Sequence, residues 1–169
     1  MIRIRRGDVN TGLTLLLSEL DRVGEARFLP RFLFPLGELA VCFGEANELD
    51  KGLAAVDETL KRCKTRHEEW YVPELLRIKG ELTLKSSQDQ CESMAEPCFS
   101  ESLNLARRQG ALFWELRTSL SFARLRVRQD RRTEARQILA PMYGAFANDL
   151  ARIADAREAK ALLDGLAAE

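Results

Sequence analysis

The sequence predicts an all-α protein, a stack of antiparallel helix pairs with about eight helices in one domain. Three observations carry that expectation. Leu, Ala, Arg and Glu, all good helix formers, dominate the 169 residues. No segment alternates apolar and polar residues as a half-buried strand would. A pattern of small and large residues also recurs three times along the chain, which is how a helical repeat announces itself.

Leu36, Leu39, Ala40 and Phe43 are followed by Gly52, Val56 and Leu60. Leu76, Gly80 and Thr83 are followed by Ala95, Phe99 and Leu103, and Ser119, Phe122 and Ala123 by Ala135, Leu139 and Tyr143. In each set a small residue (Ala40, Gly80, Ala123) lies midway along one helix. A second (Gly52, Ala95, Ala135) opens the next helix, with a large apolar residue four positions on. Small residues at a crossing let two backbones approach, and the large neighbour fills the groove beside them. One such pair cannot bury its apolar face alone, so pairs must stack.

The elements follow in order. A half repeat covers 7–24: Gly7-Asp8 precede Gly12, Leu16 and Leu20, which match second-helix positions. Its helix is expected over about 8–23, ended by Gly24 as a left-handed C′ residue. Because its first helix is missing, the chain is expected to begin mid-repeat, with an apolar face open at that end. The first full repeat, about 29–66, holds helices over about 29–45, with Pro30 in its first turn, and 48–64. The second, about 69–110, holds helices over 69–85 and 91–109, separated by the polar stretch from Lys85 to Gln90 and closed by Gly110. The third, 111–146, holds helices over 111–129 and 131–146, and a helix over about 154–167 caps the stack. Pro73 suits a first turn if its helix starts at Val72, whereas Pro97 is expected to kink its helix or delay its start.

Composition narrows the function. Hydrophobic residues make up 46% and charged residues 31%, with a formal net charge of +0. That is globular composition with no global field toward nucleic acid or membrane. No apolar run approaches the ~20 residues of a membrane helix. Met1-Ile-Arg-Ile-Arg-Arg is basic, but no apolar stretch and cleavage site follow it. Cys42, Cys63, Cys91 and Cys98 are read as reduced packing residues of a cytoplasmic protein, since a chain of this length does not need disulfides.

The motifs for chemistry are sparse. Phosphate loops, dinucleotide fingerprints and nucleophile elbows are all missing from the sequence. His67 is the only histidine, which excludes zinc sites built on two or three of them. Cys63 and His67 are i, i+4 and could face each other, yet two further metal ligands are not near in sequence, and a place at a helix C-terminus explains His67 as well. Glu68-Glu69 and the i, i+4 pair Glu92 and Glu96 read as solvated carboxylates. Neither a metal, a cofactor nor catalysis is expected.

The repeat residues resemble the tetratricopeptide repeat, through Leu39-Ala40…Phe43…Gly52…Val56 and Phe122-Ala123…Ala135…Leu139. The period of about 40 to 43 residues exceeds the ~34 of the consensus and is similar to that of bacterial transcription regulators of the maltose-activator type. Over residues 69–164 the strings at 69–82, 102–111, 134–144 and 158–164 resemble the C-terminal helical region of bacterial multidomain proteins that carry a nucleotide-cyclase or DNA-binding domain beside an ATPase. Pro97 departs from that pattern. The resemblance implies a right-handed superhelix acting as a sensor or scaffold, without transfer of the relatives' catalytic activities.

The resemblance also implies a concave groove lined by the first helix of each pair. Matching positions place Phe34, Val41 and Glu45 there from the first repeat. Glu74, Arg77, Glu81 and Lys85 come from the second, and Arg117, Arg124 and Arg128 from the third. Arg117, Arg124 and Arg128 recur at i, i+7 and i+11, one helix face within a stretch where Glu115, Asp130 and Glu134 are the only local acids. Guanidinium groups there could hold a carboxylate or phosphate, or could simply be a solvated face. Trp70, Tyr71, Phe113 and Trp114, at the starts of first helices, are expected to pack between repeats, and any that is exposed becomes an interface anchor. The expected function is a non-enzymatic interaction module of a signalling or regulatory protein, binding a protein or peptide segment, acidic in one version. Effector sensing and homodimerisation through the open N-terminal repeat are the alternatives. The basic stripe lacks interleaved aromatics, which argues against nucleic acid.

Overall fold

Helix propensity differs among these residues by tenths of a kcal/mol, whereas burying a Leu or Phe side chain is worth about 1.5–3 kcal/mol, so packing decides which helices persist. In the computed structural model, which describes residues 9–24, 26, 30–86, 90–146 and 153–167, all eight elements are α-helices. They are α1 (Val9–Val23), α2 (Pro30–Glu45), α3 (Leu49–Arg66), α4 (Val72–Lys85), α5 (Cys91–Gln109), α6 (Leu112–Arg128), α7 (Arg132–Phe146) and α8 (Ala154–Ala167). Among the described residues there is no strand.

The bounds fall within about three residues of the expected ones. The fourth helix starts at Val72 rather than near 69, which sets Pro73 in the first turn, where its missing N–H costs nothing. Pro97 does not delay its helix: α5 is already helical from Cys91. Pro97 and Ser93 are both exposed, so water can take the Ser93 carbonyl that the proline leaves without a donor. The expected Gly7-Asp8 entry and the middle of the 85–90 stretch lie outside the described residues.

Each helix packs on its neighbour in sequence, and the even-numbered helices also pack on one another: α2 on α4, α4 on α6, α6 on α8. The core is correspondingly a string of clusters. Leu13, Leu33, Cys42, Val56, Tyr71 and Ile78 belong to the first, which spans α1 to α4. Phe99, Leu103, Phe122 and Leu125 form the middle, and Leu116, Leu139, Met142 and Ala156 the far end.

The small residues sit at crossings. Ala40, Ala95, Ala123 and Ala135 are fully buried. A Cβ added to Gly52 would lie 3.0 Å from the Ala40 carbonyl oxygen, so these two backbones are nearly in contact. A Cβ on Gly80 would come within 2.6 Å of the Phe99 ring.

Four helix ends close alike. Asn47, His67, Gly110 and Asp130 take positive φ, between 56° and 63°. In each, the next residue donates its N–H back five positions: Glu48 to Phe43, Glu68 to Cys63, Ala111 to Ala106 and Arg131 to Arg126, at 2.8–3.0 Å. This is the Schellman closure, and it satisfies carbonyls that a helix end would otherwise leave open. Gly110 was legible from sequence, and Gly24 likewise takes φ +58°. Asn47, His67 and Asp130 do the same job without glycine's freedom.

Candidate functional site

The even-numbered helices bring an aromatic row together. Phe34 of α2 lies 6.2 Å from Tyr71, centroid to centroid, and Tyr71 is 5.2 Å from Trp70 and 5.5 Å, edge-on, from Trp114 of α6. Trp114 in turn is 5.1 Å from Phe113. Tyr71 is the buried hub. A Cβ on Gly37 would strike its hydroxyl, so the glycine is what lets α2 come this close. Burial of the Tyr71 phenol, followed by the nearby Glu74 and Glu38, pushes its pKa up. The outer rings stay in solvent: Phe34 is 42% exposed, Trp70 47% and Phe113 44%, with Leu112 beside them at 53%.

Further along the same face, Val41, Arg77, Glu81 and Lys85 line one cleft of about 170 Å³ between α2 and α4, floored by Ile78 and Leu82. Four of the groove residues expected from sequence therefore meet. Glu45 is exposed at the end of α2.

Glu74 does not face the cleft. Its side chain is only 2% exposed, and it accepts two hydrogen bonds from Arg77, both 2.9 Å, and a third of 2.6 Å from Arg117 Nη1. Arg77 reaches Ser121 at 3.4 Å and Glu81 at 3.7 Å, and Arg117 reaches Asp155 at 3.9 Å. Burial works against the charge on Arg77, but Glu74, with Glu81 and Asp155, outweighs it and holds the guanidinium above its ordinary pKa. The network ties α4, α6 and α8 together.

The arginines arrive at this face already paired. Arg124 donates to Glu158 at 2.6 Å, and Arg128 lies 3.2 Å from Glu92. Arg126, buried, donates to both Glu96 oxygens at 2.5 and 2.7 Å and stands 4.5 Å over the Phe122 ring. Of the local acids Glu115, Asp130 and Glu134, Glu115 pairs with Arg107 and Glu134 with Arg126 and Arg131, but the partners of Arg117, Arg124 and Arg128 come from α4, α5 and α8. Glu92 and Glu96, expected to be solvated, are therefore ion-pair partners of α6. Their i, i+4 spacing was the available signal, and it says nothing about which helix they meet.

Two of the cysteines are buried in the core, and the histidine closes a helix. Cys42 and Cys63 are buried free thiols, pushed up to about 11 chiefly by burial, so they stay protonated at neutral pH. Cys91 and Cys98 are only half-buried, which departs from the packing role expected of them. His67 is an exposed C′ residue of α3 rather than a partner of Cys63. Among the described residues no group of three His, Cys, Asp or Glu side chains could hold a metal ion, and no helix is long and apolar enough to cross a membrane.

No family model matches this chain, and neither a curated protein nor a solved structure matches it.

Proposed function

We propose that the chain is a non-enzymatic interaction module of tetratricopeptide-like design, which binds a peptide segment or domain of a partner protein along the face of α2, α4 and α6. The observation that carries this reading is the aromatic row. It gathers both tryptophans of the chain, and its outer rings are exposed on a rigid platform anchored by buried Tyr71. Exposed aromatics held by a buried neighbour are the residues that most often dominate interface energetics. The neighbour-to-neighbour packing of the helices and the buried small residues at Ala40/Gly52, Gly80/Ala95 and Ala123/Ala135 support the repeat reading. Because Arg117, Arg124 and Arg128 are already paired, the anchor is aromatic, and the charges set register rather than select an acidic partner.

The test is a displayed random-peptide library selected on the full chain. The chosen peptide is then titrated against the parent protein, Trp70→Ala and Phe113→Ala. Both side chains are half-exposed, so folding should survive. Affinity should fall about tenfold or more in each variant, and tryptophan emission should shift when the peptide binds the parent protein. Peptides that bind all three proteins equally would overturn the reading.

A further inference from the structure

A second groove lies away from the aromatic row, between α3 and α5. Its volume is about 790 Å³. Helix α4 forms the floor, because Val72, Leu76 and Lys79 fall at i, i+4 and i+7 and so share one stripe. The walls carry Leu60 and Cys63 from α3 and Leu105 from α5, which with Val72 and Leu76 make an apolar stretch beside Lys79.

The rims are charged in matched order. On α3, Asp57 precedes Lys64 by seven residues, and on α5, Glu101 precedes Arg108 by seven. Seven residues are two helical turns, about 10 Å, on one face. Lys79 fixes the alignment of the walls. It donates to Asp57 at 2.7 Å, and its pKa is raised first by that hydrogen bond and in smaller part by Glu101. Asp57 and Glu101 therefore mark one end of the groove. Lys64 and Arg108, with His67 beside them, mark the other, near Glu69, whose carbonyl accepts from Gln109 at 2.8 Å. Among the described residues Glu101, Lys64 and Arg108 are in no ion pair, unlike the arginines of α6. With Asp57 neutralised by Lys79, Glu101 leaves one end of the trough acidic, and Lys64 and Arg108 leave the other basic, an order complementary to a ligand with an apolar stripe and the opposite polarity. Because the trough has a floor and two walls but no roof, it would leave a small molecule largely in water, whereas a helix laid along it would bury its stripe.

We propose that the α3–α5 groove is a second docking site, which takes an amphipathic helix of a partner protein whose apolar stripe is flanked by a cation at one end and an anion about two turns away. The proposal is independent of the aromatic-row reading, because none of its residues belongs to that row.

The test uses three synthetic helical peptides of about 18 residues, sharing one leucine stripe and ending in Lys/Glu, Glu/Glu or Lys/Lys. Binding is measured on the full chain and on Glu101→Arg and Arg108→Glu, both changes at exposed positions, with circular dichroism confirming the fold. The Lys/Glu peptide should bind the parent protein best and lose about tenfold in each variant. Glu101→Arg should gain affinity for the Glu/Glu peptide, and Arg108→Glu for the Lys/Lys peptide. Trp70→Ala should change none of these values. The proposal is overturned if the Lys/Glu peptide does not bind at about millimolar concentration, or if all three proteins prefer the peptides in the same order. It is equally overturned if the charge changes abolish a concentration-dependent dimer of the chain instead, which would make a second copy the occupant.

Discussion

Arg117 Nη1 donates to Glu74 Oε1 across 2.6 Å, although 43 residues separate them in sequence. The pair joins α6 to α4 at the point where Arg77 also leans on the same carboxylate. One buried anion thus serves two guanidinium groups from different helices.

Removing that anion should be costly. Glu74→Ala leaves Arg77, whose side chain is 11% exposed, facing Arg117 with only the more distant Glu81, at 3.7 Å, and Asp155, 3.9 Å from Arg117, as counter-charges. A loss of about 3–5 kcal/mol is expected, the range for breaking a buried pair from one side. The double variant Glu74→Leu with Arg77→Met should be less destabilised than Glu74→Ala, since it removes the more deeply buried guanidinium and leaves only Arg117, 25% exposed and 3.9 Å from Asp155, without its nearest partner. Denaturant unfolding of both variants checks this. Equal losses would show that the charges do not depend on each other.

Glycines at crossings and glycines in open helix should respond in opposite directions. At Gly80 an added methyl would sit 2.6–3.0 Å from three atoms of the Phe99 ring, which is itself fully buried. Alanine gains about 1 kcal/mol in helix propensity there, but overpacking of about 1–3 kcal/mol outweighs it. Gly144, on α7, has nothing within 4 Å of such a methyl. Thermal melts should therefore show Gly80→Ala destabilised and Gly144→Ala stabilised by about 0.5–1 kcal/mol. Ala40→Leu, placed at a buried crossing, should behave like Gly80→Ala. Unchanged midpoints in Ala40→Leu and Gly80→Ala together would sink the repeat register.

The Glu96–Arg126 pair should make the fold acid-sensitive. Hydrogen bonds from Arg126, more than any other cause, hold the Glu96 carboxyl below its ordinary value of 4.5, against some desolvation. A carboxyl depressed in the folded state stabilises fully above its unfolded value, and that contribution is lost as pH falls through the lower folded value. The parent protein should therefore lose stability more steeply than Glu96→Gln between about pH 5 and about pH 3. Thermal midpoints across that range decide it. Parallel curves would assign the acid limb to other carboxylates.

The helices were legible because they are local. Pro at the start of α4, Gly110 past the end of α5 and apolar residues at helical spacing define segments without any distant partner. The same holds for the Ala40/Gly52, Gly80/Ala95 and Ala123/Ala135 register, since only small side chains allow the backbone approach seen between Gly52 and Ala40. Four of the groove residues, Val41, Arg77, Glu81 and Lys85, met for the same reason: helical period and repeat length set their face.

Charge pairing was not legible. A stripe of arginines has the same spacing whether it faces water or glutamates of another helix. Arg117, Arg124 and Arg126 reach partners 43, 34 and 30 residues away, and each match depends on how far a helix is rotated about its axis. The exposure of Trp70 beside buried Tyr71 is decided by the same rotation. His67 takes its left-handed cap at the end of α3, a conformation its type tolerates but no local pattern foretold. Local period and residue size were enough to set where helices form and where two can touch closely. The tertiary structure alone decided which charges neutralise one another and which aromatic faces remain in water. Those depend on distances between helices far apart in the chain, and no local pattern encodes them.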